Sequence, residues 1–102
     1  MARARTALAQ PDSEAIRLCR ALLSSDAGRL QLYTTVYSYS YSGRLSSYHL
    51  ALEVSGACRV SEPTARRAIR RMRTLGLLEG GGRDSKFMPV VPTRLARALF
   101  DG

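Results

Sequence analysis

Asparagine and tryptophan are absent from the 102 residues, glutamine occurs only at Gln10 and Gln31, and lysine only at Lys86. Scarcity of thermolabile amides is compatible with a thermophilic, archaeal source. Histidine is reduced to His49 and cysteine to Cys19 and Cys58. That set is too small and too dispersed for a zinc cluster, and a disulfide between the two cysteines is disfavoured in an intracellular chain. A single histidine with no supporting motif leaves no Ser/His/Asp or Cys/His constellation. Gly80-Gly81-Gly82 does not sit between a strand and a helix, as a phosphate-cradling loop does. The chain therefore reads as a non-enzyme with neither cofactor nor metal. No apolar run approaches the ~20 residues that cross a bilayer. No signal-peptide core follows Met1, so a soluble cytoplasmic protein is expected.

Acidic residues are also few, eight against sixteen basic ones, giving a net charge of +8 and a pI near 10.5. Such a balance selects polyanionic partners: DNA, RNA or an anionic membrane surface. Fifteen of the sixteen basic residues are arginine, whose planar fork suits bidentate contacts to phosphate and guanine. GC-rich coding produces the same enrichment by itself. At 45% hydrophobic residues the chain has material for one ordinary core and one domain.

The residues present are organised around 59–91. Ser61 is a capping residue ahead of Glu62 and Pro63, an acidic first turn with a proline suited to it. Ala65, Ala68, Ile69, Met72 and Leu75 recur at helical spacing. Arg66, Arg67, Arg70, Arg71 and Arg73 occupy the other faces, and Gly76 supplies a helix stop. Leu77-Leu78-Glu79 and Lys86-Phe87-Met88 then flank a glycine-rich connection, a hairpin signal. Pro89 points to an edge strand, and Pro92 closes that strand.

Upstream, residues 1–11 form a basic arm with Arg3 and Arg5, either simply mobile or touching a phosphate backbone or minor groove. Asp12 or Ser13 can cap a first helix with an apolar stripe of Ile16, Cys19, Leu22 and Leu23, fading at Ser24-Ser25-Asp26. Residues 28–42 carry two periods. Tyr37-Ser38-Tyr39-Ser40-Tyr41 alternates like a strand, whereas Leu30, Tyr33, Val36, Tyr37 and Ser40 share one helical face. The helix is preferred because the helices downstream need a support here. Ser46 is an N-cap for a helix whose apolar face is Leu50, Ala51 and Val54 and whose stop is Gly56. That makes helix, turn, helix with the segment that starts at Ser61. Thr93 can cap a last helix in which Leu95, Ala96, Leu99 and Phe100 pack on the body or on a second subunit.

This order resembles a winged helix-turn-helix domain of bacterial and archaeal transcription regulators. Three stretches carry the likeness. Leu45-Ser46-Ser47-Tyr48-His49-Leu50-Ala51 resembles the opening of that family's second helix, and Val60-Ser61-Glu62-Pro63-Thr64-Ala65-Arg66-Arg67 the start of its recognition helix. Met72-Arg73-Thr74-Leu75-Gly76-Leu77-Leu78 resembles its exit into the wing. Residues 28–91 are covered, with the subfamily unassigned: an acidic residue usual near His49 is missing, and Ser55-Gly56-Ala57-Cys58 is a more elaborate turn than usual.

The resemblance implies a mainly α fold with a small two-stranded β wing and extra helices at both ends, 12–25 and 93–101. It implies sequence-specific binding of double-stranded DNA, with helix 61–75 in the major groove and wing 77–91 on backbone or minor groove. Ser61 and Thr64 would bond phosphate or base edges, and Arg66, Arg67 and Arg70 would contact bases or phosphate, while Glu62 accepts from a cytosine or repels. Arg71 and Arg73, farther along, reach phosphate or only solvent. Arg83 and Lys86 sit on the wing, and Arg44 and Arg59 hold the backbone beside the helices. A nucleoid-associated homodimer joined through the terminal helices would read half-sites about 34–36 Å apart. Two alternatives remain open: a protein-interaction or architectural module of a replication, transcription or cell-division complex, and RNA binding. Tyr39 and Tyr41 either stack on a ligand or are structural. Cys58 is either a redox sensor beside Arg59 or an inert thiol, and His49 lies on a helix surface.

Overall fold

Five helices and a two-stranded antiparallel sheet make up residues 13–25, 29–80 and 88–101, which are those the computed structural model describes. In chain order they are α1 (Ser13–Ser25), α2 (Leu30–Ser40), α3 (Ser47–Cys58), α4 (Glu62–Thr74), β1 (Leu78–Gly80), β2 (Val90–Pro92) and α5 (Arg94–Asp101). Among these residues no helix is long and apolar enough to cross a membrane.

Residues 30–40, where two periods competed, form helix α2. The reason is tertiary, since strand propensity is decided by surroundings. As a helix the segment buries Leu32, Tyr33, Val36, Tyr37 and Ser40 together and packs on both α3 and α4. Its β-branched hydroxyls do not stay idle. Thr34 and Thr35 donate to the Leu30 and Gln31 carbonyls at 2.9 and 2.8 Å, back-bonding that satisfies the hydroxyls within the helix. The buried face differs from expectation at one end: Leu30 is 45% exposed and Leu32 lies inside instead.

Helices α3 and α4 each start on a serine cap. The Ser46 Oγ accepts the His49 N–H, and the Ser61 Oγ accepts the Thr64 N–H, both at 3.3 Å. Leu50, Ala51 and Val54 of α3 face Ala65, Ala68, Ile69 and Met72 of α4, all of them buried. The alanines let the backbones approach, while burying Ile69 and Met72 contributes roughly 1.5–3 kcal/mol each. Helix α3 does not stop at Gly56. That glycine stays helical, and the end comes at Arg59, which adopts a left-handed φ of 55°. The Val60 N–H donates to the Ser55 carbonyl at 3.2 Å, and the Ser55 Oγ donates to the Val60 carbonyl at 2.6 Å. These two bonds link residues five apart, the backbone one in the manner of a Schellman closure, and determine where the helix ends, so a freely flexible glycine upstream is not needed. Helix α4 ends as expected, with Gly76 at φ 79° and the Leu77 N–H bonded to the Met72 carbonyl at 2.8 Å.

The hairpin pairs Leu78 with Pro92, Glu79 with Val91 and Gly80 with Val90. Its second strand thus begins at Val90, later than the expected Lys86-Phe87-Met88, of which Met88 lies outside the strand and the other two lie outside the described residues. Burial sets this register, because Val90 is fully enclosed while Met88 is 55% exposed. Gly80, at φ 81°, lies against the Pro89 carbonyl oxygen, where a Cβ would collide. Pro89 is not at a free edge either. Ser46 bridges it from the other side, and the Val90 N–H donates to the Leu45 carbonyl at 2.8 Å. A short extended segment ahead of α3 therefore borders β2 opposite β1, and Pro89 is tolerated at the strand's entry, where no ladder donor is required of it.

The terminal helices pack on each other and on α2. Thr93 caps α5, its Oγ1 accepting the Ala96 N–H at 3.2 Å and donating to the Gly76 carbonyl at 2.6 Å. Ala96 and Leu99 of α5 are buried, as are Cys19 and Leu23 of α1. Both cysteines are free thiols, Cys19 buried and Cys58 half-buried. Phe100 stacks on Tyr37 with centroids 4.7 Å apart, and the Tyr37 hydroxyl donates to Asp101 Oδ2 at 2.6 Å. Burial, then the hydrogen bond to Asp101, push the Tyr37 phenol well above its ordinary value of 10.

The folded chain therefore keeps the Tyr37 proton to higher pH than the unfolded chain. The contribution is complete below about pH 10 and is lost as pH climbs beyond it. Tyr37→Phe should lower the unfolding free energy by about 1 kcal/mol at neutral pH. In urea titrations between pH 8 and 11.5, the variant should lose part of the alkaline decline that the wild type shows.

Candidate nucleic-acid interface

With Ala65, Ala68, Ile69 and Met72 turned inward, α4 carries Arg66, Arg67, Arg70 and Arg71 on its exposed surface. Its amphipathic division is sharp because the basic residues fill nearly every position that the stripe leaves. At the helix start three polar side chains are linked. Arg67 Nη2 donates to Thr64 Oγ1 at 3.3 Å, and Thr64 Oγ1 lies 2.9 Å from Ser61 Oγ. In the direction Arg67 to Thr64 to Ser61 every acceptor is served, and the Ser61 proton is left for an external acceptor such as a phosphate oxygen. Glu62 is half-buried in the first turn, where its charge complements the positive end of the helix.

Arg44 and Arg59 are both exposed and flank α3, one ahead of its cap and the other at its end. Arg59 sits in the turn between α3 and α4 in a conformation that costs a non-glycine residue roughly 1–2 kcal/mol. Arg83 and Lys86 lie outside the described residues, as do Arg3 and Arg5 of the basic arm. Of the ten residues expected to contact a polyanion, the structure thus brings Ser61, Thr64, Arg66, Arg67, Arg70 and Arg71 together on one helix, with Arg44 and Arg59 beside the neighbouring one.

Two arginines have positions that periodicity does not reveal. Arg73 is half-buried, and its Nη2 donates to Ser47 Oγ at 3.1 Å and to the Gly80 carbonyl at 2.9 Å. It joins the end of α4 to the start of α3 and the end of β1, so phosphate or solvent is not its place. Arg29, at the N-cap of α2, borders an open groove of about 420 Å³ with Tyr33 and with Arg67, Arg70, Arg71 and Thr74 of α4. Its signal in the sequence was a cation at a helix start, against the dipole.

The aromatic side chains divide in the same way. Tyr37 is internal, whereas Tyr39 and Tyr41 are exposed, and the Arg97 guanidinium lies 5.3 Å over the Tyr41 ring. His49 is on the surface of α3, its Nδ1 2.9 Å from Ser46 Oγ. Among the described residues no group of three or more His, Cys, Asp or Glu side chains could hold a metal ion.

Relief of the left-handed strain at Arg59, roughly 1–2 kcal/mol, exceeds the roughly 0.4–1 kcal/mol that glycine's extra freedom in the unfolded chain costs. Arg59→Gly should accordingly raise the unfolding free energy by about 0.5–1 kcal/mol, read from the urea midpoint at an unchanged slope.

No family model matches the chain, and no curated protein or solved structure matches it either.

Proposed function

We propose that the protein is a sequence-specific binder of double-stranded DNA acting in transcription, built as a winged helix-turn-helix domain. One observation carries the reading. Arg66, Arg67 and Arg70 stand exposed on a helix whose opposite side is wholly committed to the core. The helix is about 20 Å long at 1.5 Å per residue, and a major groove about 12 Å wide admits such a cylinder. On this reading α4 is the recognition helix and α3 its support. Residues 77–91 are the wing, with Arg83 and Lys86 its cations. Arg66, Arg67 and Arg70 read guanine edges or phosphates; Ser61 and Thr64 bond phosphate at the helix start. Arg44 and Arg59 hold the backbone on either side of α3.

A homodimer joined through α1 belongs to the same proposal. Helix α5 spends its apolar face inside the chain, on Tyr37 and the core. Leu18 and Leu22 of α1, 60% and 38% exposed, are left for a partner. Two-fold symmetry then calls for a palindromic site.

Selection from a pool of genomic duplexes at two salt concentrations should enrich one palindromic motif. Arg66→Ala should lose about 1–3 kcal/mol of discrimination at one base position, and Arg67→Ala should weaken binding to the motif. Uniform binding that collapses with salt would mean phosphate contacts alone and remove the sequence-specific part of the proposal. A monomeric mass in light scattering at working concentration would remove the dimer.

A further inference from the structure

The groove between the start of α2 and α4 is walled by arginines from two helices. Arg29 lies on one side; Arg67, Arg70 and Arg71 lie on the other, with Tyr33, Ala68 and Thr74 completing the lining. Its volume, about 420 Å³, falls within the roughly 300–1,000 Å³ of small-ligand clefts. None of the described residues lining it is acidic. Four arginines thus line one groove, and an anion held there is attracted by the charge of each. Tyr33, 1% exposed, gives the groove a rigid wall.

Arg29 also breaks a local rule. It occupies the N-cap of α2 and makes no side-chain capping bond, at a position that favours Ser, Thr, Asp or Asn. Its charge faces the positive end of the helix dipole. Departures from local preference of this kind are where functional positions are expected.

We propose that this groove is a phosphate-binding site in which Arg29, Arg67, Arg70 and Arg71 hold one phosphate group. The phosphate belongs to the DNA backbone flanking α4, an assignment that rests on the function proposed above. The chemistry of the site does not. Planar guanidinium groups bond phosphate oxygens in pairs, and their charge remains at every physiological pH.

Arg29→Ser is the informative variant, because it removes the cation at an exposed position. Its urea midpoint should stay close to that of the wild type, as for other surface substitutions, so a loss of binding cannot be a loss of folding. In the free protein, inorganic pyrophosphate should produce saturable NMR shifts at the Arg29, Tyr33, Ala68 and Thr74 amides that vanish in Arg29→Ser. No saturable shift at these amides overturns the site. With duplex DNA, Arg29→Ser should reduce the slope of log K against log[NaCl] by about 1 while leaving the preferred sequence unchanged. Competition between pyrophosphate and duplex supports the backbone as the phosphate's source. Simultaneous binding of both, with an unchanged slope in Arg29→Ser, overturns that assignment in favour of a free phosphorylated ligand. Pyrophosphate binding here without any duplex binding would retain the site and sink the DNA reading.

Discussion

The structure depends on one constraint: α4 must bury a narrow apolar stripe while keeping a nearly continuous set of arginines in water. Ala65, Ala68, Ile69 and Met72 supply that stripe, and the neighbours are arranged to cover it. Helices α2 and α3 and strand β1 all pack against α4. Small side chains at two of the four positions bring the backbones close, which suits a helix that has few large apolar residues to spend.

The same residue type serves two different ends on this helix. Arg73, one turn beyond Ile69 and Arg70, bends inward to the Ser47 hydroxyl and the Gly80 carbonyl. A single guanidinium thereby ties the hairpin and the start of α3 to the end of α4. Its five fixed donors make this bridging natural, and a lysine could not reproduce the geometry. Arg66, Arg67 and Arg70 lie on the opposite side of the bookkeeping between fold and surface: they contribute charge and donors without closing the core. The proposed function and the proposed phosphate groove both draw on that outward set.

Helices α1 and α5 are unequal partners. Thr93 binds α5 into the turn after α4, and Tyr37, Phe100 and Asp101 bind its far end to α2. Helix α1 is attached by Cys19 and Leu23, and leaves Leu18 and Leu22 outside. Helix α1 thus leaves two leucines outside its packing, which is why the proposed dimer is assigned to it.

Local chemistry determined much of this protein by itself. Serine followed by a workable first turn started α3 and α4, glycine ended α4, threonine started α5, and a period of 3.6 marked most of the buried side of each helix, Leu22 and Leu30 excepted. Those signals act within a few residues, so they survive whatever the rest of the chain does. Tertiary structure decided the rest. Residues 30–40 became a helix because Leu32, Tyr33, Val36 and Tyr37 lie on an element with five others to pack against, which overrode an alternating tyrosine pattern. Helix α3 ran past Gly56 because the Ser55–Val60 bonds close its end with Arg59 left-handed. The hairpin register followed the burial of Val90, not the nearest strand-prone run. Arg29 and Arg73 acquired their places only when elements distant in sequence met, since no periodicity within one segment can encode what a side chain will find on another.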